Sequence, residues 1–292
     1  MGVDEITQTW LGIDFSGNHL MWRPNRRSNV YIAEVRLRQG RPLLSTLQTV
    51  QELPGQEEPF QRLVSLLKAK GFNAAAIDAP FSVPWEYLPS EGHRALLEQV
   101  ARIERKNRPF PTAQDFVCRI LAGRRTSSKK PLRKTELAWY RKKINVRSTL
   151  WAGSRGGAAM TAACLTLLYE SQCPIWPWHP ASEPGLLVEA FPAAQLCHWG
   201  MEFEGYNGDS PEALSKREKL VASLSRLIEI RDGSLRKRME QSADALDAVL
   251  CAFAAVAVST NRPLRSSMSY DEGEIAVHER TEGASLVSTT EG

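Results

Sequence analysis

The sequence predicts an α/β fold with five main strands, and three observations lead to that prediction. Residues 10–13, 72–77 and 185–188 form short, mainly apolar runs, and a carboxylate follows each run directly. Residues 30–38 alternate between apolar and polar side chains, which is typical of a half-exposed strand. Residues 242–260 have the length of a helix and are apolar nearly all round, which predicts that this helix is buried.

The N-terminal third is predicted to begin with an antiparallel meander. Its three strands lie at about 10–14, 30–38 and 43–50 and are joined by short polar turns. Apolar residues then recur with helical spacing at 59–69. A fourth strand follows at 72–78, and the prolines behind it prevent its continuation.

Residues from about 85 to 180 are predicted to form a mainly helical, basic insertion before the fifth strand. Helices are expected at 91–105 and 156–170, and the polar, basic segment at 123–134 is expected to be mobile. The proline-rich loop at 174–184 carries aromatic side chains that either stack on nucleic-acid bases or cover the edge of the core.

The C-terminal part completes a single predicted domain at 8–280, followed by a disordered tail at 281–292. Its predicted elements are a fifth strand at 185–189, helices at 211–231 and 242–260, and a short strand or loop at 271–277.

Composition excludes several protein classes. The chain has 292 residues, of which 42% are hydrophobic and 24% charged, as expected for a soluble globular protein. Its five cysteines include no CxxC pair, so neither a zinc site nor a disulfide framework is indicated. We find no signal-peptide pattern, and the longest apolar run, at 243–258, is too short to span a bilayer. We therefore expect a cytoplasmic protein without a membrane partner.

The net charge of +4 conceals an uneven distribution. Residues 102–147 contain fifteen Lys or Arg but three acids, so this block has a net charge of +12 and the rest of the chain −8. Such asymmetry indicates a polyanionic partner such as DNA or RNA, although a solvated basic surface would give the same pattern. The residues predicted to bind phosphates are Arg124, Arg125, Lys129, Lys130, Arg133, Lys134, Arg141, Lys142 and Lys143.

Five carboxylates are candidates for a catalytic site. Asp14, Asp78 and Glu189 end three apolar strands, and Asp244 and Asp247 lie three residues apart on one face of the last predicted helix. Adjacent strands would place Asp14 beside Asp78, and two such carboxylates are tolerated only when a cation or a shared proton relieves their repulsion. The simpler interpretation of Asp14 is a residue that caps the following turn.

Oxygen ligands without His or Cys suit Mg²⁺ or Mn²⁺. Two such ions can stabilise the attacking and leaving oxygens of phosphodiester hydrolysis. The sequence therefore predicts a metal-dependent nuclease in which Asp14, Asp78, Asp244 and Asp247 bind metal. Glu189 would be a further ligand or would orient a water molecule.

Several short motifs together resemble the family called domain of unknown function 429, whose members are described as predicted RNase H-like nucleases. The resemblance covers nearly the whole chain. The motifs are GIDFSG at 12–17, AIDAPFSVP at 76–84, VEAFPAA at 188–194, Lys216-Arg217, DALDAVLCAFAA at 244–255 and EGEI at 272–275.

This resemblance implies an RNase H-like mixed five-stranded sheet flanked by helices. It implies that Asp14, Asp78 and either Asp244 or Asp247 are metal ligands, and it matches Glu189 to the glutamate at the end of a strand in the family.

Two other functions fit parts of the pattern. In actin-like ATPases and sugar kinases, an Asp-x-x-Gly turn after the first strand contacts nucleotide phosphates, and Asp14 to Gly17 has that form. Ala79-Pro80 follows Asp78, however, so a second glycine-rich phosphate turn is missing there. A catalytically inactive nucleic-acid-binding or assembly module is the third hypothesis. Metal-dependent hydrolysis, and nucleic-acid binding in EDTA, distinguish the three.

Overall fold

A mixed sheet of five strands forms the centre of the protein. Its strands are β1 (Thr9–Asp14), β2 (Tyr31–Arg38), β3 (Arg41–Thr49), β4 (Ala74–Asp78) and β5 (Leu186–Glu189). They are ordered β3-β2-β1-β4-β5 across the sheet. The first three strands are antiparallel neighbours, whereas β4 is parallel to β1 and β5 is parallel to β4. The predicted meander and mixed sheet are therefore confirmed.

The computed structural model of the chain describes most of the predicted elements. The described residues are 8–38, 40–126, 130–260, 263–265 and 271–279. Lys129 and the predicted tail at 281–292 lie outside these ranges, as does the centre of the segment predicted to be mobile.

Helices cover both faces of the sheet. Within the described ranges they are α1 (Pro59–Lys68), α2 (His93–Ala101), α3 (Ala113–Leu121), α4 (Lys134–Arg141), α5 (Ala158–Ser171), α6 (Pro192–His198), α7 (Pro211–Leu224), α8 (Gly233–Gln241) and α9 (Ala243–Ser259). A two-stranded antiparallel sheet joins β6 (Pro263–Arg265) to β7 (Ala276–His278). Among the helices that the structure describes, none is by itself long and apolar enough to cross a membrane, and α8 with α9 meets that test only as a pair bent by 112°.

The helix predicted at 211–231 is shorter in the structure. α7 ends at Leu224, and the chain then turns so that Ile228 is buried in the core. The backbone of Glu229 pairs with the edge strand β3, donating to the carbonyl of Pro42 and accepting from the amide of Leu44. Sheet pairing therefore replaces the last turns of the predicted helix. The structure also contains α3, α4, α6 and α8, for which the sequence analysis gave no helix bounds.

Side-chain alternation along the strands creates one core on each face of the sheet. Leu11, Ile13 and Ile77 pack with α1, α2, α3 and α5. Trp10 and Ala76 point the other way and pack against α9, which crosses the centre of the sheet. Because α9 is apolar on almost every side, it is buried from Ala245 to Val258 apart from Asp247, as predicted.

α5 belongs to the central core although it falls within the predicted insertion. Its residues Ala162 and Leu165 are fully buried, and the helix packs against α1, α2 and α3. Gly17, in the turn after β1, contacts the first turn of α5 so closely that an added Cβ would lie 2.4 Å from the amide nitrogen of Met160. The turn after β1 is therefore filled by protein.

The aromatic loop at 174–184 covers the edge of the core. Trp176 is only 3% exposed. The ring of Trp178 stacks on His93, with 3.5 Å between the ring centroids and 6° between the planes. His93 in turn contacts the carbonyl of Phe81 through Nε2 at 2.6 Å. Of the two interpretations of this loop, the structural one is confirmed.

Gly12 sets the distance between β1 and α9, and this gives a first prediction. A Cβ at Gly12 would lie 2.0 Å from the carbonyl oxygen of Ala248 and 2.4 Å from the amide nitrogen of Ala252. Because both atoms belong to the backbone of α9, Gly12→Ala should lower the free energy of unfolding by about 3 kcal/mol. Urea titration measures this, with Gly71→Ala as control because an added Cβ there has no neighbour within 4 Å. Equal midpoints for the two variants would contradict the prediction.

Candidate metal centre

Three carboxylates converge where β1 and β4 end. Asp14 and Asp78 are the last residues of these parallel strands and lie opposite each other in the sheet register. Side chains alternate along a strand, so Asp14 points to the same face as Gly12, which is the face covered by α9. Asp247, near the start of α9, completes the cluster. We call Asp14, Asp78 and Asp247 the carboxylate triad.

The triad has the dimensions of a metal site. One carboxylate oxygen from each residue lies within 4.8 Å of the other two. The predicted convergence of Asp14 and Asp78 with a carboxylate of the last helix is thus confirmed. The donors are all oxygens, which suits a hard divalent cation. The triad could therefore hold a divalent metal ion.

The three carboxylates are costly to ionise together. Asp14 is only 6% exposed, and within the described ranges no Lys, Arg or His forms an ion pair with any of the three. Removal from water raises the pKa of Asp14 and of Asp247, and the charges of neighbouring carboxylates raise both further. Burial, followed by the charge of Glu189, raises the pKa of Asp78 to about 7, although Arg147 acts in the opposite direction.

Asp247 has a hydrogen-bond donor that the sequence did not reveal. The hydroxyl of Tyr206 donates to Oδ1 of Asp247 at 2.8 Å. Tyr206 is itself held by the buried Arg217, whose guanidinium donates to the carbonyls of Tyr206, Gly208 and Glu240. Arg217 belongs to a motif of the sequence, but Tyr206 lies in a loop without any periodic pattern. Asp247 is therefore oriented by a fixed contact.

Asp244 lies close to the triad but is not one of its three members. Its charge raises the pKa of Asp14, Asp78 and Asp247, so it is near enough to repel them. Burial raises the pKa of Asp244 itself, although the charges of Arg217 and Arg27 partly oppose this effect. A role for Asp244 as a further ligand stays a prediction.

Glu189 is engaged in a buried ion pair instead of pointing freely into the site. It is 2% exposed and accepts hydrogen bonds from Nη1 of Arg133 at 2.8 Å and from the amide of Phe81 at 3.0 Å. Arg133 also binds Glu136, at 3.0 Å, and the carbonyl of Glu272. Burial alone would lower the pKa of Arg133, but Glu136 and Glu189 raise it, so the guanidinium stays charged. In this arrangement the oxygens of Glu189 are occupied by donors.

The residues predicted to bind phosphates include one that is buried in the structure, whereas the other described members are exposed. Arg133 is 0% exposed, so the expectation that it faces solvent or a polyanion is wrong. The sequence could not show this, because its second partner, Glu189, is 56 residues away. Arg124 is exposed but donates to the carbonyls of Glu86, Ile120 and Leu121. The other exposed members among the described residues are Arg125, Lys130, Lys134, Arg141, Lys142 and Lys143.

The triad opens into a cleft of about 720 Å³. Of the described basic residues, Arg133 and Arg147 line it. Arg133 is buried, whereas Arg147 is exposed. Arg147 belongs to the basic block at 102–147 but is not among the residues predicted from sequence to bind phosphates. Its loop lies between α4 and α5 and shows no pattern that would have indicated its position.

A family model for "protein of unknown function (DUF429)" matches residues 2–268. The chain belongs to this family. No curated protein and no solved structure matches the chain. Family membership confirms the resemblance seen in the motifs and adds no activity to it.

The buried network around Arg133 gives a second prediction. Arg133→Gln would leave the carboxylates of Glu136 and Glu189 buried without a cation, so we expect it to lower the free energy of unfolding by about 3–5 kcal/mol. The exposed Lys130 provides the matched control, and Lys130→Gln should change stability by less than about 0.5 kcal/mol. Chemical denaturation measures both. Normal stability of Arg133→Gln together with weaker nucleic-acid binding would instead support the role predicted from sequence.

The raised pKa values give a third prediction, for the protein in EDTA. Between the ordinary pKa of Asp, 3.8, and the value of about 7 for Asp78, the folded protein binds more protons than the unfolded chain. The free energy of unfolding should therefore fall as the pH rises through this window. Asp247→Asn removes one charge and keeps an acceptor for Tyr206. It should stabilise the protein by about 1–3 kcal/mol at pH 8 and have little effect at pH 4.

Thermal unfolding at several pH values tests this prediction. Asp209→Asn is the control, because Asp209 is exposed. A difference between Asp247→Asn and the unmodified protein that stays constant from pH 4 to pH 8 would show that the triad carries no repulsion.

Proposed function

We propose that the protein is a divalent-metal-dependent nuclease with an RNase H-like fold. The observation that carries the proposal is the carboxylate triad, whose oxygens lie within 4.8 Å of one another. Three ionised groups at this distance need a cation, and no basic residue among those described forms an ion pair with them. The chain order of strands and helices, with acids after β1 and β4 and on α9, supports the RNase H-like assignment.

Asp14, Asp78 and Asp247 would hold Mg²⁺ or Mn²⁺. Both ions prefer oxygen ligands, and the triad offers only carboxylate oxygens. Bound there, such an ion supplies Lewis-acid polarisation of a phosphoryl oxygen and activation of water. Among the described cysteines, Cys251 is the one that interacts electrostatically with all three acids. Burial raises the pKa of its thiol, and the charges of these carboxylates raise it further. Cys251 therefore stays neutral and does not compete as a soft ligand.

Other residues of the cleft would position the substrate and the triad. Arg147 is exposed, lines the cleft and acts electrostatically on Asp78, which suits a guanidinium that holds a phosphate next to the triad. Tyr206 fixes the carboxylate of Asp247. Arg133 fixes Glu189 beside Asp78, and the negative charge of Glu189 raises the pKa of Asp78.

The exposed cations of the segment between β4 and β5 would bind the nucleic-acid backbone outside the cleft. Lys130 and Arg125 lie on the surface, as do Arg141 and its two lysine neighbours. Contacts of this kind depend on charge and not on base sequence. The partner is therefore a nucleic acid bound mainly through its phosphates.

A nucleotide-dependent phosphotransferase receives no support from the turn after β1. In that function Gly17 would face nucleotide phosphates, but an added Cβ at Gly17 would lie 2.4 Å from the amide nitrogen of Met160, so its Cα faces the backbone of α5. The triad with its cleft thus favours the nuclease over this alternative.

The proposal gives a fourth prediction, tested by two independent measurements. Millimolar Mn²⁺ should raise the midpoint of thermal unfolding, because an ion bound only to the folded state stabilises it. The protein should also hydrolyse labelled single- or double-stranded DNA or RNA with Mg²⁺ or Mn²⁺, but not in EDTA. Asp78→Asn should abolish the metal-dependent stabilisation and slow hydrolysis by at least about 100-fold, since a bound ion contributes several kcal/mol.

Asp209→Asn is again the control and should behave like the unmodified protein. Stabilisation by Mn²⁺ without hydrolysis of any nucleic acid would leave a metal-binding protein and refute the nuclease. Hydrolysis that persists in Asp78→Asn would show that the triad is not the reacting site.

A further inference from the structure

A second cleft, of about 820 Å³, lies apart from the carboxylate triad and is lined by basic residues. His19, Arg23 and Arg26 contribute to it from the turn between β1 and β2, and Arg108 contributes from the loop before α3. We call this cleft the arginine groove. It shares no lining residue with the cleft of the triad.

The arginine groove concentrates positive charge that the described part of the protein does not neutralise. Arg23, Arg26 and Arg108 are exposed, and none of the ion pairs formed among described residues includes them. Glu58 is the one acid among the residues that line the groove. The pKa of His19 is lowered by partial removal from water and by the charges of Arg108 and Arg23, which shows that these groups are close together. Such a site attracts anions.

An aromatic cluster fixes the floor of the groove. Trp22 packs against Phe15, Phe60 and Phe110, with centroid separations of 5.1, 5.0 and 6.4 Å. Phe60 and Phe110 also contact each other at 5.7 Å. The cluster therefore joins the basic turn to α1 and to the loop that carries Arg108. Because Phe15 directly follows Asp14, the same cluster connects the groove to the triad.

Hydrogen bonds hold the backbone of the basic turn, whereas no ion pair among the described residues involves the side chains of Arg23 and Arg26. The hydroxyl of Ser28 donates to the carbonyl of Met21 at 3.0 Å. The side-chain amide of Gln51 donates to the carbonyls of Met21 and Arg23 at 2.8 and 3.3 Å. A rigid turn that presents guanidinium groups without acidic partners is suited to phosphate, which arginine binds through two parallel hydrogen bonds.

The groove and the triad are close enough for one nucleic-acid strand. His19 lies five residues after Asp14, so their Cα atoms are at most about 18 Å apart. Measured along the axis of a duplex, at about 3.4 Å per phosphate of one strand, this distance covers at most about five phosphates. The turn also returns to the sheet at Tyr31, which pairs with Asp14, and on the way Arg27 acts electrostatically on Asp244.

We propose that the arginine groove binds the phosphate backbone of a nucleic-acid strand at positions next to the phosphate held at the carboxylate triad. The proposal rests on the proposed nuclease function and names a second contact of its substrate. The aromatic residues among those lining the groove, Trp22 and Phe60, are 2% and 1% exposed. They are not accessible for stacking, so the groove contacts phosphates and not bases.

The test measures nucleic-acid binding in EDTA, where hydrolysis is absent. The variant combines Arg23→Gln, Arg26→Gln and Arg108→Gln. The matched control combines Arg94→Gln, Lys219→Gln and Arg226→Gln, which remove the same charge from exposed positions that line neither cleft. Fluorescence anisotropy with labelled oligonucleotides, single- and double-stranded, gives the affinity at several salt concentrations. Thermal unfolding checks that both variants are folded.

We expect the groove variant to lose at least tenfold in affinity for every sequence. The slope of log affinity against log salt should become shallower by about 2–3 for duplex DNA, since each lost phosphate contact contributes about 0.9. The control should keep the slope of the unmodified protein.

Equal affinity and slope in the groove variant and the control would overturn the proposal, as would an unmodified protein that binds no oligonucleotide. The groove could also bind inorganic phosphate, detected by calorimetry, without contributing to oligonucleotide affinity. That result would make it a small-anion site and would also overturn the proposal. If the groove variant binds weakly but the unmodified protein hydrolyses nothing with Mg²⁺ or Mn²⁺, the groove stands and the nuclease function fails.

Discussion

The parallel pairing of β1 with β4 places Asp14 and Asp78 side by side, and the repulsion between them governs the rest of the site. α9 adds Asp247 on the same face instead of a cation. A buried carboxylate in a protein is usually paired with a lysine or an arginine, because an unpaired buried charge is costly. In this site, bound protons or a cation from solution must relieve the repulsion between the carboxylates. The fold therefore assembles three acidic ligands without supplying an ion-pair partner for them from the described residues.

Glu189, at the end of the neighbouring strand β5, shows the opposite solution. Its charge is neutralised from within by Arg133, which lies on the segment leading into α4. The same guanidinium binds Glu136 and the carbonyl of Glu272, and the amide of Lys134 donates to the side chain of Glu272. Two adjacent strand ends thus carry acids with different environments. One acid is paired internally and anchors the surrounding chain, whereas the others are available to a ligand.

Much of this arrangement follows from local sequence, and the rest depends on distant contacts. Apolar runs that end in Asp14 and Asp78, together with the apolar last helix, were sufficient to predict that these acids converge with a carboxylate of that helix, because the hydrophobic period indicates which elements are buried. They did not decide between Asp244 and Asp247. Arg133 was predicted to bind phosphate, and its burial was missed because that burial depends on Glu189, which is 56 residues away in the chain. Tyr206 and Arg147 lie in irregular loops, where position is set by the fold and not by any periodic pattern.

The close contact of β1 with α9 has a consequence for how the protein is made. The strand that carries Asp14 is synthesised long before the helix that carries Asp247 and fits against Gly12, since β1 precedes α9 by more than 200 residues. Until α9 is synthesised, one face of the sheet is not covered by it, and Asp14 and Asp78 lack the third carboxylate of the triad. A chain that ends before α9 therefore lacks one of the three acids and exposes the apolar face of the sheet that α9 covers.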